Sequence, residues 1–208
     1  MSRRPKPPTR SALDTARGVF RRNRGLLPTR KALDLGIHPR TLYRLRDEGT
    51  IEPIGRGLYR LAEMPALEHP DLVTVALRVP AGVVCLISAL SFHDLTTEIP
   101  HEVHIALPRG AERPRTTYPP LRVFWFGGPA HTDGVETHRL DGVVVRVYCV
   151  EKTLADIFKF RNRVGMDTVL EALRLYAERR NPKLDEILKF ARVCRVERVM
   201  RPYLEAIL

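Results

Sequence analysis

The 208-residue sequence lacks several features that would each assign it to a large class of proteins. It has only three cysteines, which are far apart and odd in number: Cys85, Cys149 and Cys194. We therefore expect no disulfide framework, and we expect the protein to lie in a reducing cytoplasm. The longest mainly apolar stretch, residues 81–90, is half as long as the roughly 20 residues that a membrane-spanning helix needs. No apolar segment follows the basic start of the chain, so neither a membrane span nor a secretory signal is predicted.

Short motifs of common enzyme classes are also missing. The sequence has no G-x-x-x-x-G-K-[ST] nucleotide loop, no G-x-S-x-G turn, no C-x-x-C and no H-E-x-x-H. His101 and His104 are three apart on a predicted strand, which places them on opposite faces and makes them a poor metal pair. Residues 80–150 contain no lysine, whereas a metal nuclease combines clustered carboxylates with a nearby lysine. We therefore expect no catalytic residue, no metal and no cofactor.

Positive charge is what the sequence has in excess, and most of it lies near the N-terminus. Residues 1–60 hold 15 Lys and Arg against 5 Asp and Glu, a net charge of +10, while residues 61–208 have a net charge of +1. A strongly basic segment favours a polyanionic partner, usually nucleic acid. Residues 1–10 combine three prolines with four basic residues, which predicts a disordered basic tail.

Residues 11–62 show the pattern of a winged helix-turn-helix. Apolar periodicity predicts three short helices, which end near Gly25, Gly36 and Gly49. Leu26 and Leu27 read as an apolar link after the first helix. Pro39 suits the first position of the third helix, because the N–H that proline lacks has no partner there.

Two features complete this pattern. Leu42 and Leu45 are the predicted inward pair of the third helix, and Thr29 is the predicted N-cap of the second. The apolar runs on either side of Gly55-Arg56-Gly57 predict a hairpin, which would be the wing.

The face of the third helix opposite its leucines carries the candidate DNA contacts. Arginine can pair with guanine in the major groove, and Thr or Tyr can reach phosphates or a thymine methyl group. A wing arginine would contact the DNA backbone or the minor groove. Arginines near the end of the first helix either reach phosphates or only favour the helix dipole. The predicted DNA-binding residues are Arg40, Thr41, Tyr43, Arg44 and Arg56, and the candidate phosphate contacts are Arg21, Arg22, Arg24 and Arg30.

The nearly neutral second part, residues 68–208, is predicted to be an α+β domain. Strand patterns at 101–108 and 121–127 and a hairpin around Asp141-Gly142 predict a small, mainly antiparallel sheet, which is followed by C-terminal helices. Acids at the start of the first of these helices, including Asp156, are expected to compensate its dipole. Arginines that recur in the last helices are either a solvated face or a surface for an acidic partner.

With these segments in place, the chain resembles the AbiEi-type antitoxins of type IV toxin–antitoxin systems. In the first part, LGIHPRTLYRLRDEGTIEPIGRGLYRL resembles the winged-helix head of that family. In the second part, LISALSFHDLT, EVHIALPRG and VEKTLADIF occur in the family's order. The resemblance covers roughly residues 12–180, and Asp156 matches a recurrent family acid.

The resemblance implies a bacterial or archaeal repressor-antitoxin. Its head would bind inverted repeats in double-stranded operator DNA upstream of its own operon. Because one head usually contacts only a half-site, specific binding would need a dimer or two cooperating monomers, so a monomer in solution or a cooperative pair on DNA is expected. Its second domain would oppose a neighbouring toxin of nucleotidyltransferase type, and the two proteins need not form a stable complex.

Two other classes stay open at this point. The second domain could be a nuclease or a nucleotide-modifying enzyme that the head targets to DNA, with Glu102 or Asp156 as the acids to test. Alternatively, the chain could be a solitary transcription factor whose second domain binds an effector.

Overall fold

The computed structural model of the protein describes residues 10–116 and 118–207, which form two compact units. The first unit extends to Pro70 and the second begins at Asp71. None of the described helices is long and apolar enough to cross a membrane. The predicted tail, residues 1–10, lies outside the described residues apart from Arg10, which is the first residue of a helix rather than part of a tail.

The first unit combines short helices with a small antiparallel sheet. Strand β1 pairs with β3, and β3 pairs with β2, so the sheet order is β1-β3-β2. The apolar pair Leu26–Leu27, expected to be a link, is therefore part of a strand. In chain order the elements are α1 (Arg10–Arg22), β1 (Leu26–Pro28), α2 (Thr29–Asp34), α3 (Pro39–Asp47), β2 (Ile51–Gly55) and β3 (Leu58–Leu61).

One apolar core holds the first unit together. Phe20 from α1, Leu27 from β1, Leu42 and Leu45 from α3 and Ile51 from β2 are all fully buried in it. Burying a side chain of this size contributes roughly 1.5–3 kcal/mol. The residues of this cluster all come from between positions 13 and 61, so the first unit has a core of its own.

The second unit is α+β, as predicted, and its C-terminal part is helical. The helices after the sheet carry most of the larger core. Its elements are α4 (Pro70–Arg78), β4 (Val83–Val84), α5 (Leu86–Phe92), β5 (Val103–Pro108), β6 (Leu121–Phe126), α6 (Pro129–Thr132), β7 (Val135–Leu140), β8 (Val143–Tyr148), α7 (Val150–Lys159), α8 (Arg161–Val164), α9 (Met166–Ala177), α10 (Leu184–Cys194) and α11 (Glu197–Ile207).

The sheet of the second unit has five strands in the order β6-β5-β4-β8-β7. The β4–β5 and β7–β8 pairs are antiparallel, and the β5–β6 and β4–β8 pairs are parallel. The sheet is therefore mixed, because two of its four strand pairs are parallel, whereas the sequence predicts a mainly antiparallel sheet. The two-residue strand β4 is at its centre, because Val84 pairs with both Ile105 and Val147.

Helix α7 is the central helix of the second unit. It packs against α5, α9 and α10, and its residues from Lys152 to Phe158 are all buried. A helix with apolar neighbours on several sides places even its polar side chains in the core. This packing explains the buried charged cluster described below.

Candidate nucleic-acid interface

The start of α3 is fixed by three local features. Pro39 occupies its first turn, and the imidazole Nδ1 of His38 accepts a hydrogen bond from the backbone N–H of Arg40 at 3.2 Å. The turn before it passes through Gly36, with φ +86°, and buries Ile37. Since the proline and the glycine agree with the sequence pattern, the helix begins where that pattern predicts, and the cap by His38 adds to it.

The buried side of α3 includes more residues than the sequence pattern predicts. Leu42 and Leu45 are fully buried, as predicted, but Thr41 is also only 5% exposed. Thr41 lies four residues before Leu45 and therefore on the same side of the helix. The predicted placement of Thr41 on the exposed face is therefore wrong, and its contact with DNA stays a prediction.

The exposed side of α3 carries an aromatic residue among arginines. Tyr43 is 45% exposed, and the guanidinium carbon of Arg46 lies 5.1 Å from the centre of its ring. Arg44 is also exposed, and Arg40 is half-buried. A shallow depression of about 670 Å³ covers this surface, and its lining residues are His38, Pro39, Arg40, Tyr43, Arg44, Asp47 and Glu48.

Arg44 and Arg46 on this face each have an acidic partner already. Arg44 Nε donates to Glu48 Oε1 at 2.7 Å, and Arg46 donates to Asp47 Oδ1 at 2.7 and 2.9 Å. The hydrogen bond with Asp47 raises the pKa of Arg46 above its ordinary value. Water screens exposed pairs of this kind, so an incoming base or phosphate can replace the carboxylate at little cost.

The turn of the predicted wing hairpin is tight and is hydrogen-bonded to the start of α2. Arg56 and Gly57 connect β2 to β3, and Arg56 is exposed. The backbone N–H and the hydroxyl of Thr29 both donate to the carbonyl oxygen of Gly57, at 2.8 and 3.1 Å. The N-cap residue of α2 is Pro28, so the prediction of Thr29 as the cap was wrong. Thr29 instead connects the start of the helix to the hairpin turn through hydrogen bonds.

The four candidate phosphate arginines differ in their surroundings. Arg21 donates to both carboxylate oxygens of Glu63, at 2.9 and 3.3 Å, and this hydrogen bonding lowers the pKa of Glu63. Arg22, Arg24 and Arg30 are exposed. Arg24 has a left-handed backbone, with φ +59°, in the turn that ends α1.

A buried charged cluster in the second unit was not predicted. The ammonium of Lys152 lies 2.5 Å from Asp156 Oδ2, and the thiol of Cys194 lies 3.0 Å from Asp156 Oδ1. Lys152 and Asp156 are 0% and 1% exposed. The ammonium also lies over the rings of Tyr148 and Phe126, at 4.3 and 5.1 Å from their centres.

The electrostatics of this cluster show a structural role. Burial raises the pKa of Asp156, and the ammonium of Lys152 opposes that rise. Both carboxylate oxygens are engaged and enclosed, so Asp156 offers none to an external ligand. The i, i+4 spacing of Lys152 and Asp156 is visible in the sequence, but their burial depends on α10 and on the strands. Asp156 therefore does more than compensate the dipole of α7.

Glu102, the other acid named for an enzymatic function, lies beside a histidine and an arginine. Glu102 is half-buried beside His104, at 3.6 Å, and Arg122, at 3.3 Å. Within residues 10–116 and 118–207, no group of three or more His, Cys, Asp or Glu side chains could hold a metal ion. The three cysteines are buried and free.

Comparisons with known proteins agree with the resemblance in the first unit. Residues 16–62 match the sequence model of the family described as "Transcriptional regulator, AbiEi antitoxin", which confirms that resemblance over this segment. No curated protein sequence matches the chain. The fold is similar to that in the crystal structure of the RV2827C protein from Mycobacterium tuberculosis, with a TM-score of 0.57 and 14% identity over 96% of this chain and 83% of that chain. At this identity the similarity concerns the fold alone.

Proposed function

We propose that the protein is the antitoxin of a type IV toxin–antitoxin system and the DNA-binding autorepressor of its own operon. Residues 11–62 act as a winged helix-turn-helix head, and residues 68–208 as the domain that opposes a nucleotidyltransferase-type toxin. One observation carries the proposal. The segment that matches the AbiEi regulator family has the element order α1-β1-α2-α3-β2-β3 and a basic, exposed face on α3.

In this proposal α3 lies in the major groove, and the side that carries Tyr43 and Arg44 faces the bases. Arg44 exchanges the carboxylate of Glu48 for a base edge, which a guanidinium can contact through two parallel hydrogen bonds. Arg40 lies at the N-terminal end of the same helix, where recognition helices contact bases. Arg56 in the wing turn and the exposed arginines near α1 and α2 contact phosphates and fix the register.

The operator would be an inverted repeat because one head contacts only a half-site. The protein is proposed to be a monomer in solution and to bind as a cooperative pair. Phosphate contacts make such binding strongly dependent on salt concentration.

The test of DNA binding is an anisotropy titration of the full chain on labelled DNA from upstream of its own gene. Random DNA of the same length is the control, and each titration is run at two salt concentrations. Preferential, salt-sensitive binding to the upstream DNA is expected. Equal binding to both DNAs, or no binding at low salt, would contradict the autorepressor proposal.

Two arginine variants separate base reading from general charge. Arg44→Ala is expected to cost about 1–3 kcal/mol of upstream affinity and much less affinity for random DNA. Arg174→Ala removes the same charge from an exposed position on α9 and should change neither affinity. An upstream affinity that Arg44→Ala leaves unchanged would remove Arg44 from the base-reading residues.

The antitoxin part is tested by co-expression with the product of the gene next to its own. Growth arrest by that product alone and rescue by the full chain are expected. The Arg44→Ala variant should still rescue growth although it no longer represses the operon. Specific DNA binding without any rescue would identify a solitary transcription factor instead.

A further inference from the structure

The second unit contains a cleft that the proposed function does not use. It is half-open, has a volume of about 860 Å³, and lies among the end of β6, the turn at residues 127–128, the end of α7 and the end of α10. Three basic side chains line it, and we call them the cleft cations: Arg109, Lys159 and Arg195. No acidic side chain is among its described lining residues.

Some of the basic residues near the cleft have acidic partners, whereas the cleft cations have none among the described residues. Arg192 and Arg201, in the same helical region, both pair with Glu197, at 3.0 and 2.7 Å. None of the cleft cations forms an ion pair with another described residue. Three unpaired cations around one concave space repel one another and favour the binding of an anion.

Arg195 occupies a position where its backbone is unfavourable. It is the C-cap residue of α10 and has the left-handed conformation φ +60°, ψ 36°. Glycine is the usual residue in this conformation, because a Cβ is strained there. The chain thus carries a guanidinium into the cleft from a position that would be more stable as glycine, and strain of this kind is typical of binding sites.

Trp125 is among the residues that line the cleft. Trp125 is 42% exposed, and its indole N–H donates to the carbonyl oxygen of Ala111 at 2.8 Å, which holds the ring in place. Beside it, Gly127 and Gly128 have no side chains, and Arg109 Nε lies 3.7 Å from the position that a Cβ on Gly127 would take. A Cβ added at Gly128 would have no atom within 4 Å.

We propose that this cleft binds a nucleotide, with the base stacked on Trp125 and the phosphates held between the cleft cations. Guanidinium and ammonium groups match phosphate oxygens, and base stacking on an exposed aromatic ring is a common way to hold an unpaired nucleotide. The volume is within the range of small-molecule sites, so one or two nucleotides fit and a duplex does not. The ligand is a free nucleotide or the end of a single strand, which share this chemistry. The proposal stands apart from operator binding, because every residue it uses lies in the second unit.

The sole tryptophan of the chain makes the test specific. The fluorescence of Trp125 in the full-length protein is titrated with ATP, adenosine, inorganic triphosphate and a 5′-phosphorylated single-stranded tetra-adenylate RNA. Saturable quenching by ATP or the RNA is expected, with weaker effects of adenosine and inorganic triphosphate alone. Tighter binding of ATP identifies a free nucleotide, and tighter binding of the RNA identifies a strand end. No quenching by either, or triphosphate binding as tight as that of ATP, overturns the proposal.

A glycine substitution then separates binding from folding. Arg195→Gly removes the guanidinium and relieves the backbone strain, so we expect nucleotide affinity to fall about tenfold while the melting temperature stays the same or rises. Arg198→Ala is the matched control, because it removes an arginine from outside the cleft on α11. Equal losses of affinity in the two variants would mean that only net charge matters, and the cleft would lose its role. Operator binding should be unchanged in both variants, so failure of this proposal leaves the DNA-binding proposal intact.

Discussion

Removing one member of the buried Lys152–Asp156 pair should destabilise the second unit far more than removing both. Asp156→Leu leaves an enclosed ammonium without its carboxylate, and Lys152→Met leaves an enclosed carboxylate without its ammonium. Each unpaired charge is expected to cost about 3–5 kcal/mol. A domain has only about 5–15 kcal/mol of unfolding free energy, so each single variant should lose much of its stability.

The double variant Lys152→Met/Asp156→Leu places apolar groups against the rings that surround the ammonium. Its unfolding free energy should lie within about 2 kcal/mol of that of the unmodified protein. The interaction energy from the double-mutant cycle is then at least about 4 kcal/mol. This energy measures the penalty for an unpaired buried charge rather than the attraction of the pair alone.

The assay is urea denaturation of the full chain, followed by the fluorescence of Trp125. Because the only tryptophan lies in the second unit, this signal reports the unfolding of that unit. Lys189→Met, which breaks the exposed pair with Glu186 at 3.3 Å, is the control and should cost less than about 1 kcal/mol. A double variant as unstable as the sum of its single variants would refute this reasoning.

Three further predictions concern strain, pH and thiol reactivity. Gly57→Ala should destabilise the first unit by about 1–2 kcal/mol, because φ is +69° and the new Cβ would lie 3.3 Å from the hydroxyl of Thr29. Thermal unfolding followed by circular dichroism measures this loss. Gly49→Ala, with the same φ and open space, should cost less, and equal costs would rule out the contact. Burial lowers the pKa of His104, so the unfolded chain takes up a proton at a higher pH than the folded protein does. The free energy of unfolding should therefore fall as pH decreases through about 6.5. Urea titrations at several pH values should show a weaker pH dependence in His104→Gln. An unchanged pH dependence would exclude His104 as a source of the effect. Burial raises the pKa of Cys149 to about 11 and that of Cys194 to about 12. Both thiols should therefore react with a thiol reagent only after denaturation. Rapid labelling of the native protein would contradict their burial.

The parts of the fold that follow from local chemistry could be predicted from the sequence. Pro39 marks the start of α3, Gly49 follows its end, and Leu42 and Leu45 lie on its inner side. The hairpin around Asp141-Gly142 also formed, because its turn residues adopt the positive φ that such turns require. Each of these features is decided by residues that are close together in the chain.

The misses have a different origin. Strand β1 is three residues long, which is too short for any periodicity, and it exists because β3 pairs with it. The parallel pairings in the second unit are also decided by distant segments. Thr41 could have been assigned correctly, because its i, i+4 relation to Leu45 places it on the buried side. The burial of Lys152 depends on aromatic rings from β6 and β8, and no local pattern contains that information.

The separate core of the first unit has a consequence for the order in which a nascent chain folds. Every residue of that core precedes position 62, whereas the central strand β4 of the second unit cannot complete its pairing until β8 has been synthesised. Domains generally fold as units, and the N-terminal one folds first during translation. A ribosome that stalls late in the second unit would already have released a complete first unit from its exit tunnel. Under the proposed function, a message truncated there should yield a fragment that still occupies the operator and competes with the full-length protein.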